Sequence, residues 1–123
     1  MIKVGFIGTG LMGFPMAKNL LNSGIKLKAF NRTITKAKPL KEFGAEISDT
    51  LVDVVKDNDF TITMLTDDTA VEAIMSHSDF LENLKPGSTV IDMSSIKPTT
   101  ATTYGNILKS KDINYLDAPV SGG

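Results

Sequence analysis

The 123-residue chain predicts one α/β domain, a doubly wound parallel sheet with helices on both faces. Three observations point there. Short β-branched runs alternate with longer stretches of helical periodicity from end to end. Glycine, proline or polar turn signals separate them, with no linker, repeat or low-complexity segment between. The length suits a single hydrophobic core. Right-handed crossovers leave few topologies, and strand order 3-2-1-4-5-6 is the expected one.

The first strand is predicted over residues 2–7, followed by a glycine-rich turn over 8–13 and a helix to about residue 22. That helix places Met12, Met16 and Leu20 on one inward stripe, with Ala17 and Leu21 beside it. Pro15 falls in the first turn, where its missing N–H does no harm, and Ser23-Gly24 ends the helix. A second strand covers residues 25–30. Residues 33–43 read as a helix weakened by Pro39, with Gly44 as its C-cap and a short third strand over 45–47. Asp49 or Thr50 caps a helix to about residue 56, with Leu51, Val54 and Val55 inward. The fourth strand covers 59–65, and a helix over 67–76 turns Val71, Ile74 and Met75 to one side. Phe80, Leu81 and Leu84 lead to the turn Lys85-Pro86-Gly87. A fifth strand covers 89–93, a helix runs from Lys97 or Pro98 to about residue 109, and a sixth strand covers 113–116.

Composition excludes several kinds of chemistry. Thirteen Lys+Arg against fourteen Asp+Glu leave a net charge of -1, so no broad basic footprint for nucleic acid exists. No apolar run approaches the roughly 18 residues of a membrane span. Cysteine is absent, which removes disulfides, thiolate nucleophiles and Cys-ligated metal centres. His77 is the only histidine, which removes a His-rich metal site and the usual Ser–His arrangement. The first residues lack a signal-peptide layout, and a cytoplasmic location is expected.

Gly8-Thr9-Gly10-Leu11-Met12-Gly13 matches G-x-G-x-x-G directly between a predicted strand and a predicted helix, the Rossmann-type context in which this pattern is informative. Gly8 permits the tight turn, Gly10 lets a pyrophosphate approach the backbone, and Gly13 lets the helix pack on the strand. The helix N-terminus adds free N–H groups and partial positive charge. At the end of the second strand, where a carboxylate would accept from the ribose of NAD, the chain has Asn31-Arg32-Thr33. Arg32 suits a phosphate or an adenine face, Asn31 and Thr33 can donate to phosphate oxygens, and Lys36 lies one turn on. NADP is therefore expected over NAD. The structural alternative is a polar turn with Thr33 as a helix N-cap, which leaves Arg32 unexplained.

The glycine loop and three later segments resemble the β-hydroxyacid dehydrogenase family, the group of 3-hydroxyisobutyrate dehydrogenase and the glyoxylate/succinic semialdehyde reductases, related to 6-phosphogluconate dehydrogenase. Residues 5–13 with Pro15-Met16-Ala17 are similar to its cofactor signature, and Asn31-Arg32-Thr33 to its NADP-type ending of the second strand. Thr63-Met64-Leu65 resembles the loop under the middle of the cofactor. Asp92-Met93-Ser94-Ser95-Ile96-Lys97-Pro98 resembles the segment beside the nicotinamide ribose. Asp117-Ala118-Pro119-Val120-Ser121-Gly122-Gly123 resembles the substrate-carboxylate segment. The resemblance implies cofactor contacts at Met64, Leu65 and Ser95, and a small carboxylate-bearing substrate at Ser121, Gly122 and Gly123. Physically, Ser121-Gly122-Gly123 offers a hydroxyl and unhindered N–H groups, which suit a carboxylate; the bland alternative is a tail of small residues.

The family's catalytic lysine lies in an all-helical second domain, and no lysine here stands in a matching motif. Ser121 is thus the only reaction-site candidate, for substrate positioning. The expectation is a single NADP-binding domain over residues 1–123, without the all-helical domain and with negligible turnover alone. Hydride exchange between a small β-hydroxyacid and its semialdehyde or keto acid is the expected activity of the enzyme to which it contributes. An uncovered sixth strand would then invite self-association. A non-catalytic dinucleotide-binding sensor or assembly module predicts the same cofactor and stays open. An S-adenosylmethionine enzyme would be expected to carry an acid after the second strand, against Asn31-Arg32. His77 reads as a surface cap favouring a cation, and Asp67-Asp68 as helix N-terminal charge, not a metal site.

Overall fold

A computed structural model of the chain describes residues 2–120. Six parallel strands form one sheet in the order β3-β2-β1-β4-β5-β6, as the alternation predicts. They are β1 (Lys3–Ile7), β2 (Lys26–Phe30), β3 (Glu46–Ile47), β4 (Phe60–Thr63), β5 (Thr89–Asp92) and β6 (Asn114–Asp117). The fourth strand stops short of the predicted end because its last apolar residues, Met64 and Leu65, turn into a loop. Backbone pairing nevertheless runs one residue past five strands, with Ser48 N donating to Ala29 O at 2.8 Å beyond β3. Gly8 N donates to Phe30 O at 2.9 Å, Met64 N to Ile7 O at 2.9 Å, Met93 N to Thr63 O at 2.8 Å and Ala118 N to Asp92 O at 2.9 Å.

The helices are α1 (Gly13–Asn22), α2 (Leu51–Val55), α3 (Asp68–Met75), α4 (Ser78–Leu81) and α5 (Pro98–Ser110). Thr50, not Asp49, caps α2, its hydroxyl accepting from Asp53 N at 3.1 Å. The predicted helix over 33–43 is instead two 3-10 segments, Ile34–Lys36 and Lys38–Phe43. Pro39 has no N–H, and in a continuous α-helix its ring would strike the carbonyl one turn back. The chain closes tighter turns, Ala37 N to Ile34 O at 2.9 Å and Leu40 N to Ala37 O at 3.0 Å. Gly44 ends the second segment in the left-handed region, at φ 99°. Helix α4 lies in a stretch where the sequence pattern predicts no element.

Each sheet face has its own core. One sheet face sends Ile7 and Val90 against Val54 and Val55 of α2, Val71 and Met75 of α3, Phe80 of α4 and Leu108 of α5. The other packs Val4, Phe6, Leu27, Ala29 and Ile62 against Ala17 of α1 and Leu40. The predicted stripe of α1 needs correction. Gly13 and Ala17 are the buried residues of this helix, Met16 and Leu20 are only partly buried, and Met12 is 41 % exposed. Small residues let the helix axis approach the sheet, which pushes the larger side chains to the flanks. Along one row of this face, burial decays toward the edge: Ala29, Phe6 and Ile62 are buried, Ile91 is half-buried and Leu116 of β6 is exposed.

Candidate functional site

A cleft of about 490 Å³ opens at the carboxyl ends of the strands, between the loops that follow β1, β2, β4 and β5. This is where a doubly wound sheet reverses its winding and binds ligands. Gly8 turns the chain out of β1 at φ 101°, and a Cβ there would meet the Met64 carbonyl. A Cβ at Gly13 would meet the Gly8 carbonyl oxygen and the Phe6 ring. Gly10 differs: no atom lies within 4 Å of where its Cβ would stand, and its bare backbone faces the cleft. No side chain caps the start of α1 and no acidic residue occupies its first turn. Phe14 N donates to Gly10 O at 3.0 Å and Pro15 has no N–H, so within this first turn Gly13 N is the group left for an anion among the described residues. Leu11, 93 % exposed, and Met12 form the lip. Thr9 turns inward instead, and among the described residues its hydroxyl has no partner.

At the end of β2, Asn31 holds the turn together. Its Oδ1 accepts from Thr9 N at 3.0 Å, and its Nδ2 donates to Thr33 O at 3.0 Å. Its amide thus shapes the loop, and the second hydrogen on Nδ2 is not used by these bonds. Arg32, Thr33 and Lys36 line this end of the cleft and are exposed. Among the described residues, neither Arg32 nor Lys36 forms an ion pair. Thr33 does occupy the N-cap position of a 3-10 segment, but its side chain makes no cap bond.

Met64, Leu65 and Ser95 line the opposite wall. Behind them lies a buried polar cluster, Thr63, Asp92 and Ser94, whose residues belong to the segments with the family resemblance but have no individual role in the sequence reading. Asp92, fully buried, accepts on Oδ1 from Thr63 Oγ1 at 2.9 Å and from Ser94 N at 3.1 Å. Ser94 Oγ in turn accepts from Leu65 N at 2.8 Å. Burial pushes the Asp92 carboxyl above the usual carboxylate range, against the hydrogen bonds from Ser94 and Thr63, while the charge of Asp117 pushes it further. Tyr115 is raised too, chiefly by burial and then by the charges of Asp92 and Asp117. Beyond the resemblance of the segments that contain them, the sequence signal was a polar residue, Thr63 or Asp92, closing each strand at the carboxyl edge.

Helix α3 adds Ala70 and Ile74 to the cleft, which the sequence reading also missed. Asp67 caps it, accepting from Ala70 N at 2.9 Å. Asp68 does more than supply charge: it accepts from Lys97 N at 2.9 Å and Thr100 Oγ1 at 2.8 Å, tying α3 to the start of α5. These bonds hold its carboxyl below the ordinary value. No group of three or more potential metal ligands exists among the described residues. His77 does cap, at the start of α4, its Nδ1 accepting from Asp79 N at 3.1 Å. Ser121, Gly122 and Gly123 lie outside the described residues; Val120, just before them, lines the cleft.

The geometry has counterparts in known proteins. The family described as the NAD binding domain of 6-phosphogluconate dehydrogenase matches residues 3–123. The uncharacterized oxidoreductase YkwC of Bacillus subtilis is 40 % identical over 121 residues, 98 % of this chain and 42 % of that protein. The solved structure of Mycobacterium tuberculosis 3-hydroxyisobutyrate dehydrogenase superposes with a TM-score of 0.92 at 32 % identity, covering 100 % of this chain and 42 % of that one. The cytokine-like nuclear factor N-PAC of Homo sapiens is 34 % identical over 121 residues, 98 % of this chain and 22 % of that protein. The chain thus spans under half the length of these relatives. No helix among the described residues is long and apolar enough to cross a membrane.

Proposed function

The chain belongs to the family of the NAD binding domain of 6-phosphogluconate dehydrogenase, and on that premise we propose that it holds NADP(H) for an oxidoreductase acting on a small β-hydroxyacid and its semialdehyde or keto acid. The observation that carries this reading is the pairing of bare backbone at Gly10 with the exposed guanidinium of Arg32, without an ion pair among the described residues, along one cleft. The residues fit the group. The uncapped start of α1 faces a pyrophosphate, and Gly10 leaves it room. Arg32, Thr33 and Lys36 offer two cations and a hydroxyl to a ribose 2′-phosphate. Leu65 lies under the middle of the cofactor and Ser95 borders the nicotinamide ribose. The nicotinamide, when bound, supplies the hydride acceptor or donor. Ser121, Gly122 and Gly123 receive the substrate carboxylate, and the general acid/base comes from outside these 123 residues. A cytoplasmic location and self-association through the β6 edge complete the proposal.

Fluorescence titration with NADPH and NADH tests it. NADPH is expected to bind at least about tenfold more tightly, and Arg32→Ala to remove that difference while sparing NADH. Equal affinity in the unmutated chain overturns the preference for NADP(H), and no binding of either overturns the cofactor reading. The likeness to a relative named as a nuclear factor favours a second reading, a dinucleotide-binding module without turnover. A panel of small hydroxyacids assayed with the complete gene product separates the two.

A further inference from the structure

The buried carboxyl of Asp92 lies behind the cleft and does not line it. Its surroundings give it a task. Register places Thr63 and Asp92 side by side at the ends of β4 and β5, just where each strand becomes a cleft loop. Asp92 Oδ1 gathers two donors, the Thr63 hydroxyl from β4 and the Ser94 amide from its own loop. With its backbone so fixed, Ser94 directs its hydroxyl oxygen at Leu65 N, 2.8 Å away in the other loop. Residues next to this clamp, Leu65 itself and Ser95, form the cleft wall.

We propose that Asp92 is a positioning residue for the dinucleotide: acting through Ser94, it locks the loops after β4 and β5 together and so fixes Leu65 and Ser95 on one wall. The proposal rests on the cofactor reading above and deepens it. Two features argue that the carboxyl serves as an acceptor and not as a charge. It is wholly buried with no cation paired to it among the described residues, and burial favours its neutral form. Its second oxygen, Oδ2, has no partner among the described residues, so an amide nitrogen there breaks no existing bond.

The test uses the chain itself, with NADPH titration and with hydrogen exchange at the Leu65 amide in the absence of nucleotide. Asp92→Ala and Ser94→Ala are each expected to weaken NADPH binding about tenfold, the effect of one buried N–H losing its partner. Each is also expected to speed Leu65 exchange. Asp92→Asn keeps the Oδ1 acceptor and is expected to stay within about twofold of the unmutated chain in both readings, a rescue that lost stability alone would not produce. If Asp92→Ala does not fold, Ser94→Ala and Asp92→Asn carry the comparison. Unchanged Leu65 exchange in Ser94→Ala overturns the clamp. Faster exchange with unchanged NADPH affinity overturns the positioning role, as does an Asp92→Asn protein that folds but binds tenfold more weakly. If the unmutated chain binds neither NADPH nor NADH, the cofactor reading fails first, and Leu65 exchange still decides the clamp.

Discussion

The two walls of the cleft are built by opposite means. The wall of β1 and α1 is defined by side chains that are missing: Gly8 and Gly13 bring backbone against backbone, and Gly10 leaves an opening. The wall of β4 and β5 is defined by side chains that are present, with Thr63, Asp92 and Ser94 joining two loops by oxygen atoms buried out of sight of the ligand. The contrast teaches where precision comes from. Close approach tolerates no added atom, whereas a hydrogen-bonded brace tolerates any replacement that keeps its acceptors.

Glycine substitutions give the largest expected break in this comparison. Gly13→Ala drives a methyl group into the Gly8 carbonyl and the Phe6 ring and is expected to cost about 3 kcal/mol or more, read by urea unfolding. Gly10→Ala, with open space around it, is expected to stay within about 0.5 kcal/mol of the unmutated stability yet weaken NADPH at least about tenfold. Equal stability losses would mean that the first wall is not set by close packing. On the other wall, Thr63→Val removes a buried donor to Asp92 and is expected to cost about 1–2 kcal/mol.

A pH series sharpens the contrast further. The folded-state value of Asp92 is raised, so between the ordinary 3.8 and that raised value the folded chain binds more protons than the unfolded one. Stability from this group is therefore complete below 3.8 and falls as pH climbs through the window. Asp68 is lowered, so its contribution is present above 3.8 and is lost as pH falls below it. Urea unfolding of Asp92→Asn should lack the first slope, and that of Asp68→Asn the second. The smallest expected effect is at the sheet edge. Leu116→Lys should change stability by less than about 0.5 kcal/mol while reducing any self-association seen by sedimentation at high concentration.

The same contrast explains what could be read from the sequence. Glycines at positions 8, 10 and 13 between a strand and a helix have few other uses, and strand order follows from alternation and handedness. Arg32 stood out because a carboxylate was expected in its place. Asp92 did not, because an acid ending a strand is ordinary until its burial and its partners are known. Met12 was misplaced because helical spacing alone cannot see that a helix packing through Gly13 and Ala17 tilts its neighbours aside. The 3-10 segments around Pro39 were half visible: proline forbids a continuous helix without saying what replaces it.

Asn31 has a consequence for coenzyme choice. Its amide binds the turn on both sides, to Thr9 and to Thr33, which leaves the adjoining Arg32 exposed and without structural duties among the described residues. Under the proposed reading, the residue that shapes the turn and a residue that selects the coenzyme are neighbours but separate. A substitution at position 32 would then alter the choice of dinucleotide while the cradle next door stays as it was.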